Sequence, residues 1–549
     1  MTNSSEIRVV AAIDFGTTYS GFAYAHKKNP NDIFAHDIWK SVSGYYKTPT
    51  VLKYDESFNL LSWGLPALAE RPSRRNRQSN QKPVERFKLH LGKMENKPPL
   101  PSGINHKTAI TDYLREIGKV MKETFDTRWS IKDFFNQVLI VMTVPAEFGQ
   151  EAMKVMRECA FKADLINQRN SGKLKFTTEP EAAAIYCMNK LTEHNLGVGS
   201  SFMIVDCGGG TVDLTTRKLL KDNKLDEITE REGDFCGGSF VDEEFLKFIG
   251  RKVGSSALSM VRTNHYSQLQ YMVQEFCRRI KIQFTGKESD FQPYDMDLKE
   301  LCPVIKQYSK GVEFENMEEE EWTVELTFDD VKSMFDPVIG KIIRLIRGQL
   351  EKCSDVALIL LVGGFSESKY LQERIKNEFK QRLLDKIIVP ANPMVAIEKG
   401  AVQFGLSQGI VNSRILKWTY GTDVIRQWAL LDPIDRRRAD GKIRIFDRLA
   451  RRGEKVDINH QVARVYVPYS NEQTSIGLDL YVTEDVDANY CDETGVYLLD
   501  NWSVNVPTTY NNEGRSIAFT LTFGSIEIEA TAQNVQTGVK YETTFNLDL

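Results

Sequence analysis

The segments Ile13-Asp14-Phe15-Gly16-Thr17-Thr18 and Val205-Asp206-Cys207-Gly208-Gly209-Gly210-Thr211 carry one pattern twice in a single chain. In each copy an apolar run ends on an aspartate, glycine and threonine follow, and a second alternating run begins: Tyr19-Ser20-Gly21-Phe22-Ala23-Tyr24-Ala25 in one, Val212-Asp213-Leu214-Thr215-Thr216 in the other. Period-two alternation on both sides of a glycine turn reads as a hairpin. A dinucleotide fold or a Walker-type loop would lead directly into a helix, and neither copy does. Glycines let the backbone N–H groups of such turns approach anionic oxygens, and threonine hydroxyls add donors. Asp14 and Asp206 would then face a polyphosphate, a repulsive arrangement unless a hard divalent cation lies between. Mg²⁺, which keeps its waters and takes few protein ligands, suits that place. One copy alone would be an ordinary hairpin turn; two copies imply one phosphate group held from both sides.

The rest of the chain narrows the class. With 549 residues and 41% hydrophobic content it can bury several cores, and roughly two to four domains are expected. A net charge of −4 and a pI near 6.1 argue against a general nucleic-acid or anionic-membrane surface. The basic stretches at 71–77 and Arg436-Arg437-Arg438 read as solvated loops. Eight cysteines show no close pairing and several fall in apolar periodic runs, the pattern of buried thiols rather than disulfides or zinc ligands. Seven scattered histidines lack metal-ligand spacing. No apolar stretch reaches membrane-spanning length, and residues 1–8 are too polar for a secretory signal, so a cytoplasmic or nuclear protein is expected.

Strands and helices alternate to about residue 408. Val138-Leu139-Ile140-Val141-Met142-Thr143-Val144 is a buried strand stopped by Pro145, followed by a helix with Ala152, Val155, Met156, Cys159, Ala160 and Ala163 on one face. Phe176-Thr177-Thr178 leads into a helix opened by Pro180, leaving Glu179 at the mouth. A strand from Leu358 to Val362, the turn Gly363-Gly364 and a helix from Ser366 form another such unit. The acidic run Glu318 to Glu321 reads as an exposed insertion. Beyond about residue 412 strict alternation takes over, as in Ser475-Ile476-Gly477-Leu478-Asp479-Leu480-Tyr481-Val482. Gly524-Ser525 signals a hairpin there. The expectation is an α/β domain over 1–411 and an antiparallel β-sandwich over 412–549.

These residues carry a resemblance. Ala12 to Tyr19, Thr143-Val144-Pro145-Ala146, Thr178-Glu179-Pro180-Glu181-Ala182-Ala183-Ala184, Asp206 to Asp213, Cys236-Gly237-Gly238-Ser239-Phe240-Val241-Asp242 and Leu361-Val362-Gly363-Gly364 resemble, in order and spacing, the signature regions of the actin-like ATPase in 70-kDa heat-shock chaperones. That ATPase is two-lobed and built from duplicated ribonuclease-H-like domains. Phe365-Ser366-Glu367-Ser368 and Trp418-Thr419-Tyr420-Gly421 look more like the divergent 12A/12B branch. Tyr469-Ser470-Asn471-Glu472-Gln473, Gly495-Val496-Tyr497 and Thr522-Phe523-Gly524-Ser525-Ile526-Glu527-Ile528 are similar to the family's substrate-binding sandwich.

The resemblance implies ATP or ADP with Mg²⁺ as ligands and a client or partner protein on the sandwich. Asp14 and Asp206 would hold the metal's water shell; Gly16, Thr17, Thr18, Tyr19, Gly208, Gly209, Gly210 and Thr211 would bind phosphate. Lys88 matches the lysine that positions the attacking water, and Glu179 the carboxylate lining that site. Lys88, Glu179, Asp206 and Thr211 are thus the catalytic candidates. Gly237, Gly238, Glu275, Arg278, Arg279, Ile282, Gly363, Gly364 and Phe365 would surround the nucleoside, with Ile282 in place of a usual serine, Glu367 in place of an adenine-stacking arginine and Met394 in place of an acidic residue. By register, Tyr466, Ile476 and Leu478 fall on the family's peptide groove. The family's leucine-rich linker is replaced by Ser413-Arg414-Ile415-Leu416-Lys417-Trp418, and no lid helix follows Phe545. Three activities remain open at this point: a slow chaperone-like ATPase, a nucleotide-gated scaffold, and, least supported, a small-molecule kinase.

Overall fold

A computed structural model describes residues 7–39, 42–68, 83–92, 97–145, 148–169, 171–193, 196–221, 224–383, 386–407, 411–457, 460–468, 472–506, 515–523 and 528–544. The chain forms two compact units, one of residues 1–148, 155–216 and 231–408, the other of 149–154, 217–230 and 409–549.

In the first unit the strand Val9–Phe15 is buried at every position, as a strand covered on both faces must be. It pairs in parallel with Val138–Val144, Val9 opposite Val138, and antiparallel with its return strand Tyr19–His26, Asp14 opposite Gly21. Leu174–Thr178 adds a further parallel strand beside Val138–Val144. The same local arrangement recurs around the second motif. Ser201–Cys207 is fully buried, runs parallel to Val356–Val362 with Asp206 opposite Val362, and has Val212–Leu219 as its other neighbour. Both aspartates therefore emerge at the C-terminal ends of central parallel strands.

Small residues set the helix packing between these sheets. In Glu179–Glu193 the residues Ala182, Ala183 and Ala184 are completely buried. Ala396–Leu406 crosses that helix so closely that a Cβ on Gly400 would lie 1.8 Å from the Ala182 carbonyl oxygen. Lower on the same helix, Gly405 meets Val10 and Val141 of the first sheet. The segment read as an exposed insertion is only partly so. Gly311–Glu319 is a helix, Thr323–Leu326 pairs with Tyr294–Asp297, and Trp322 is 1% exposed with its indole N–H on Glu318. The acidic run is a solvated helix end, but the apolar residues after it are core, which a charge run alone does not reveal.

The second unit holds two four-stranded antiparallel sheets, one ordered Lys442–Ala450, Thr419–Gln427, Ser475–Thr483, Val496–Asn505, the other His460–Tyr466, Ile517–Phe523, Glu529–Asn534, Lys540–Thr544. One hydrophobic cluster draws on both, including Leu449, Ile476, Leu480, Phe519 and Ala530. A register shift between Leu480 and Tyr481 breaks the alternation and turns Tyr481 into a separate cluster with Phe446 and Ala488. Pairing of the last long strands brings Thr522 opposite Glu529; the hairpin expected at Gly524-Ser525 and the end of the chain beyond Phe545 lie outside the described residues. The segment expected as a linker is instead a strand, Val411–Ile415, parallel to Leu225–Glu227 and antiparallel to Lys455–Asp457. That pairing explains why residues 217–230, placed by sequence in the first domain, group with the second unit. Its polar seam is closed: Asp226 accepts from Ser413 and pairs with Lys455. No helix among the described residues is long and apolar enough to cross a membrane.

Candidate functional site

The two glycine turns meet. A Cβ on Gly209 would lie 1.9 Å from Thr18 Oγ1, and one on Gly210 would lie 2.8 Å from Thr17. Each turn is braced from behind. Ser20 Oγ accepts from the Gly16 amide at 3.1 Å and shares a 2.8 Å hydrogen bond with Thr50 Oγ1, which donates to the Gly16 carbonyl at 2.9 Å. In the second turn Gly208 N–H closes onto Thr211 O at 3.0 Å, and the amides of Gly237, Gly238 and Ser239 donate to the carbonyls of Gly210, Gly208 and Gly209 at 3.2, 3.0 and 2.8 Å. With the carbonyls consumed behind, the turn's N–H side is left to the cleft. Gly363, at φ +84°, passes so close that a Cβ would sit 2.3 Å from Asp206 Oδ1; only glycine fits there.

Between the turns lies a cavity of about 410 Å³, within the size range of ligand pockets. Asp14, Gly16, Thr17, Thr18, Tyr19, Lys88, Glu179, Asp206, Gly208, Gly209, Gly210, Thr211, Gly238, Ile282, Gly363, Gly364 and Phe365 all line it. Gly237 braces the turn from outside. The cavity is a carboxylate cluster held by two ammonium groups. Lys88, on the short helical turn Phe87–Leu91, is 3% exposed and donates to Glu179 Oε1 at 2.7 Å. Burial pushes the Glu179 carboxyl above its usual range, opposed by Lys88 and reinforced by Asp14 and Asp213. Asp206 is raised well above the carboxylate range by burial, then by the charges of Glu179, Asp213 and Asp14. Its Oδ1 is buried without a hydrogen-bond partner among the described residues. Thr143 donates to Asp14 Oδ1 at 3.0 Å, while Asp14 Oδ2 is taken by Lys47.

An orphaned hard oxygen beside repelling carboxylates fits a hydrated divalent cation arriving with a polyphosphate. Asp206 would hold its water shell directly and Asp14 only in competition with Lys47. Among the described residues no cluster of three or more metal-binding side chains forms a dedicated cage.

Lys47 and Glu398 are the site residues that motif reading missed. Lys47 precedes Thr48, whose pairing with Ser20 fixes the backbone there, and its ammonium also stands 3.6 Å from Glu398 Oε2. Glu398 is completely buried in the first turn of Ala396–Leu406. One signal was available: a carboxylate set among Val395, Ala396, Ile397, Ala401 and Val402, on the apolar face of its helix, needs a buried partner.

At the opposite end the expected clamp register shifts. Ile282 N–H reaches back to Cys277 O at 3.1 Å, a wide π-type turn over Cys277–Lys281 that rotates later residues relative to an α-helix. Gln270, Val273, Gln274, Cys277, Lys281 and Ile282 face the cavity. Glu275, Arg278 and Arg279 do not: Arg278 pairs with both Glu275 oxygens at 2.7 Å on an exposed face, and Arg279 lies 3.7 Å from the same carboxylate. The basic residue at the cleft is Lys281, donating to Gly238 O at 2.7 Å and Asp242 at 2.6 Å. Phe365 packs on Gly238 and stacks near Phe335, and Glu367 and Met394 complete this wall. The groove candidates lie in the other unit: Ile476 and Leu478 are 4% and 2% exposed in its core, and Tyr466 packs against that core.

Comparison with known proteins finds relatives along nearly the whole chain. The mouse heat shock 70 kDa protein 12A is 27% identical, over 96% of this chain and 90% of that protein. The human heat shock 70 kDa protein 12B is 25% identical, over 96% and 89%. At this distant identity the chain is similar, along nearly its whole length, to members of the 70-kDa heat-shock protein family. The similarity extends to the chaperone protein HscA of Buchnera aphidicola, 24% identical over 71% of this chain and 68% of that protein. No protein-family model matches.

Proposed function

We propose that the chain binds ATP and ADP with Mg²⁺ in the cleft between the two glycine turns, hydrolyses ATP slowly, and uses its C-terminal unit to hold a client or partner protein. On this reading the first unit is an actin-like ATPase with duplicated ribonuclease-H-like halves, and the second a β-sandwich of the substrate-binding kind. The reading is carried by the direct opposition of the turns, with Gly209 against Thr18 and Gly210 against Thr17, above Asp14, Asp206, Lys88 and Glu179. Phosphoryl transfer to water asks for positioned charge more than covalent help. The buried Lys88–Glu179 pair supplies an oriented ammonium and carboxylate for the water, and Thr211 a hydroxyl for the terminal phosphate. A bound Mg²⁺ would supply charge neutralisation on the phosphates, with Asp206 oriented toward its waters.

A second reading, a nucleotide-gated scaffold without turnover, is favoured by one observation. The wall expected to meet the base sets Phe365, Ile282, Met394 and Glu367 around Lys281, with no arginine among these residues to stack on an adenine, so on this reading nucleotide exchange rather than hydrolysis sets the state. Single-turnover ATP hydrolysis by the purified chain, with and without unfolded peptide, separates the two. Peptide-stimulated turnover supports the ATPase, and tight binding without turnover supports the scaffold. Lys88→Met should keep ATP affinity within a few fold and lose hydrolysis; unchanged hydrolysis removes Lys88 from the mechanism, and absence of any nucleotide binding refutes both readings.

A further inference from the structure

Lys47 has a position that neither the glycine turns nor the catalytic pair accounts for. Its side chain crosses the return strand of the first hairpin over Gly21. A Cβ at Gly21 would lie 2.8 Å from Tyr46 O, 3.0 Å from Lys47 Cγ and 3.6 Å from Glu398 Oε1. Gly21 is the residue directly opposite Asp14 in the strand pairing. The glycine is thus a notch through which the lysine stem reaches the aspartate at the end of the neighbouring strand. There the ammonium contacts Asp14 Oδ2 and stands 3.6 Å from Glu398 Oε2. Neither Glu398 oxygen has a hydrogen-bond partner among the described residues. Lys47 also lines the cavity.

Five buried carboxylates, Asp14, Glu179, Asp206, Asp213 and Glu398, gather at the end where a polyphosphate would bring further negative charge. The other cations lining the cavity pair with different carboxylates, Lys88 with Glu179, Lys281 with Asp242, and Arg86 with Glu243 at 2.8 Å, whereas Lys47 pairs with Asp14 itself. An ammonium carries three donors. Lys47 hydrogen-bonds Asp14, and its distance to Glu398 exceeds a hydrogen bond, so a donor remains for the cavity.

We propose that Lys47 is a built-in cation of the nucleotide site: seated over Gly21 by Asp14 and Glu398, it donates to the polyphosphate and takes over part of the charge neutralisation otherwise left to a divalent ion. The inference rests on the nucleotide-binding reading and specifies it. Nucleotide then binds with weak dependence on Mg²⁺, and Glu398 acts as a positioning residue that holds the ammonium between phosphate and strand.

The test is ADP and ATP affinity of the full chain, by titration calorimetry, with Mg²⁺ and with EDTA. The wild type should lose less than about tenfold in EDTA. Lys47→Met should lose about 10- to 100-fold in EDTA, the worth of a charge-assisted hydrogen bond, and visibly less with Mg²⁺ present. Because Lys47→Met strands Glu398, the double variant Lys47→Met/Glu398→Gln is measured beside it, with thermal midpoints for each. The double variant should regain the midpoint but not the EDTA affinity. If it regains both, Lys47 is only the counterion of Glu398 and the proposal falls. A wild type that needs Mg²⁺ as strongly as Lys47→Met overturns it while leaving the nucleotide reading standing. A wild type that binds no nucleotide in either buffer overturns that reading and this one together.

Discussion

Replacing Gly237 by alanine should loosen the second glycine turn, and the structure sets the size of the effect. The added Cβ would sit 2.6 Å from both the carbonyl carbon and the oxygen of Gly209 and 2.7 Å from Gly208 O. Carbon contacts settle at about 3.5–4.0 Å, so the two segments must separate by roughly 0.9 Å. Backbone, unlike a side chain, has no rotamer to change. The separation stretches the amide bonds from Gly237, Gly238 and Ser239, now 3.2, 3.0 and 2.8 Å, past useful length. At about 1 kcal/mol each, and within the usual cost of overpacking, the loss is about 2–3 kcal/mol. Gly238→Ala is the control. Its φ of −59° and ψ of −25° suit any residue, and the nearest atoms to its Cβ belong to Phe365, at 3.1–3.3 Å, a side chain that can yield for about 1 kcal/mol or less. Hydrogen exchange of the amides over 201–216 and 236–246 reads the difference directly. Protection should fall about 30- to 150-fold in Gly237→Ala and less than tenfold in Gly238→Ala. Nucleotide affinity should fall more with the first than with the second. Equal loss in the two variants, or the reverse order, would refute the bracing role of residues 236–239.

Leu478→Ala should act as a core truncation, lowering the stability of the C-terminal unit by about 2–5 kcal/mol, since Leu478 is 2% exposed among both sheets' side chains. Urea unfolding followed by hydrogen exchange of that unit checks it, and an unchanged midpoint with weakened peptide capture would return Leu478 to a groove. His36, stacked on Phe22 at 4.4 Å and hydrogen-bonded to the Ile38 carbonyl, is held below its ordinary pKa by burial, against the opposing pull of Ile38 and Asp37. The unfolded chain then binds the proton more readily than the folded one, so this contribution is full above about pH 6.5 and is lost as pH falls below it. The thermal midpoint of His36→Phe should therefore drop less than wild type between pH 7.5 and 5.5; parallel curves would contradict the assignment, since His26, His106 and His265 titrate in both proteins.

Much of the site was legible because it is local. The Asp-Gly-Thr hairpins, the Gly363-Gly364 turn and the Pro180 helix start are encoded by residues within a few positions of each other, where backbone sterics leave few alternatives. Lys88 and Glu179 were found through a family resemblance, and the fold brings them to 2.7 Å from separate segments. In the clamp helix the wide turn at Cys277–Lys281 brings Lys281 and Ile282, rather than Arg278 and Arg279, to the cavity, a shift that α-periodicity does not foresee. The groove candidates were ambiguous for the opposite reason: alternation in Ser475–Thr483 says which residues share a face, not whether that face is core or rim.

The sequence by itself determined that two Asp-Gly-Thr turns exist, that each follows an apolar strand and leads into a return strand, and that an alternating region follows beyond about residue 412; these are consequences of local sterics and apolar periodicity. Only the tertiary structure decided what stands between the turns. Lys47 is separated from Asp14 by a whole hairpin and from Glu398 by most of the first unit, and nothing in a solitary lysine announces a partner. The pair arises because Gly21 removes a side chain at the one place where the lysine stem must cross. The pairing of Asp14 with Lys47 follows from that crossing. Charge balance in a buried site is a property of distances, and distances between remote segments are set by packing.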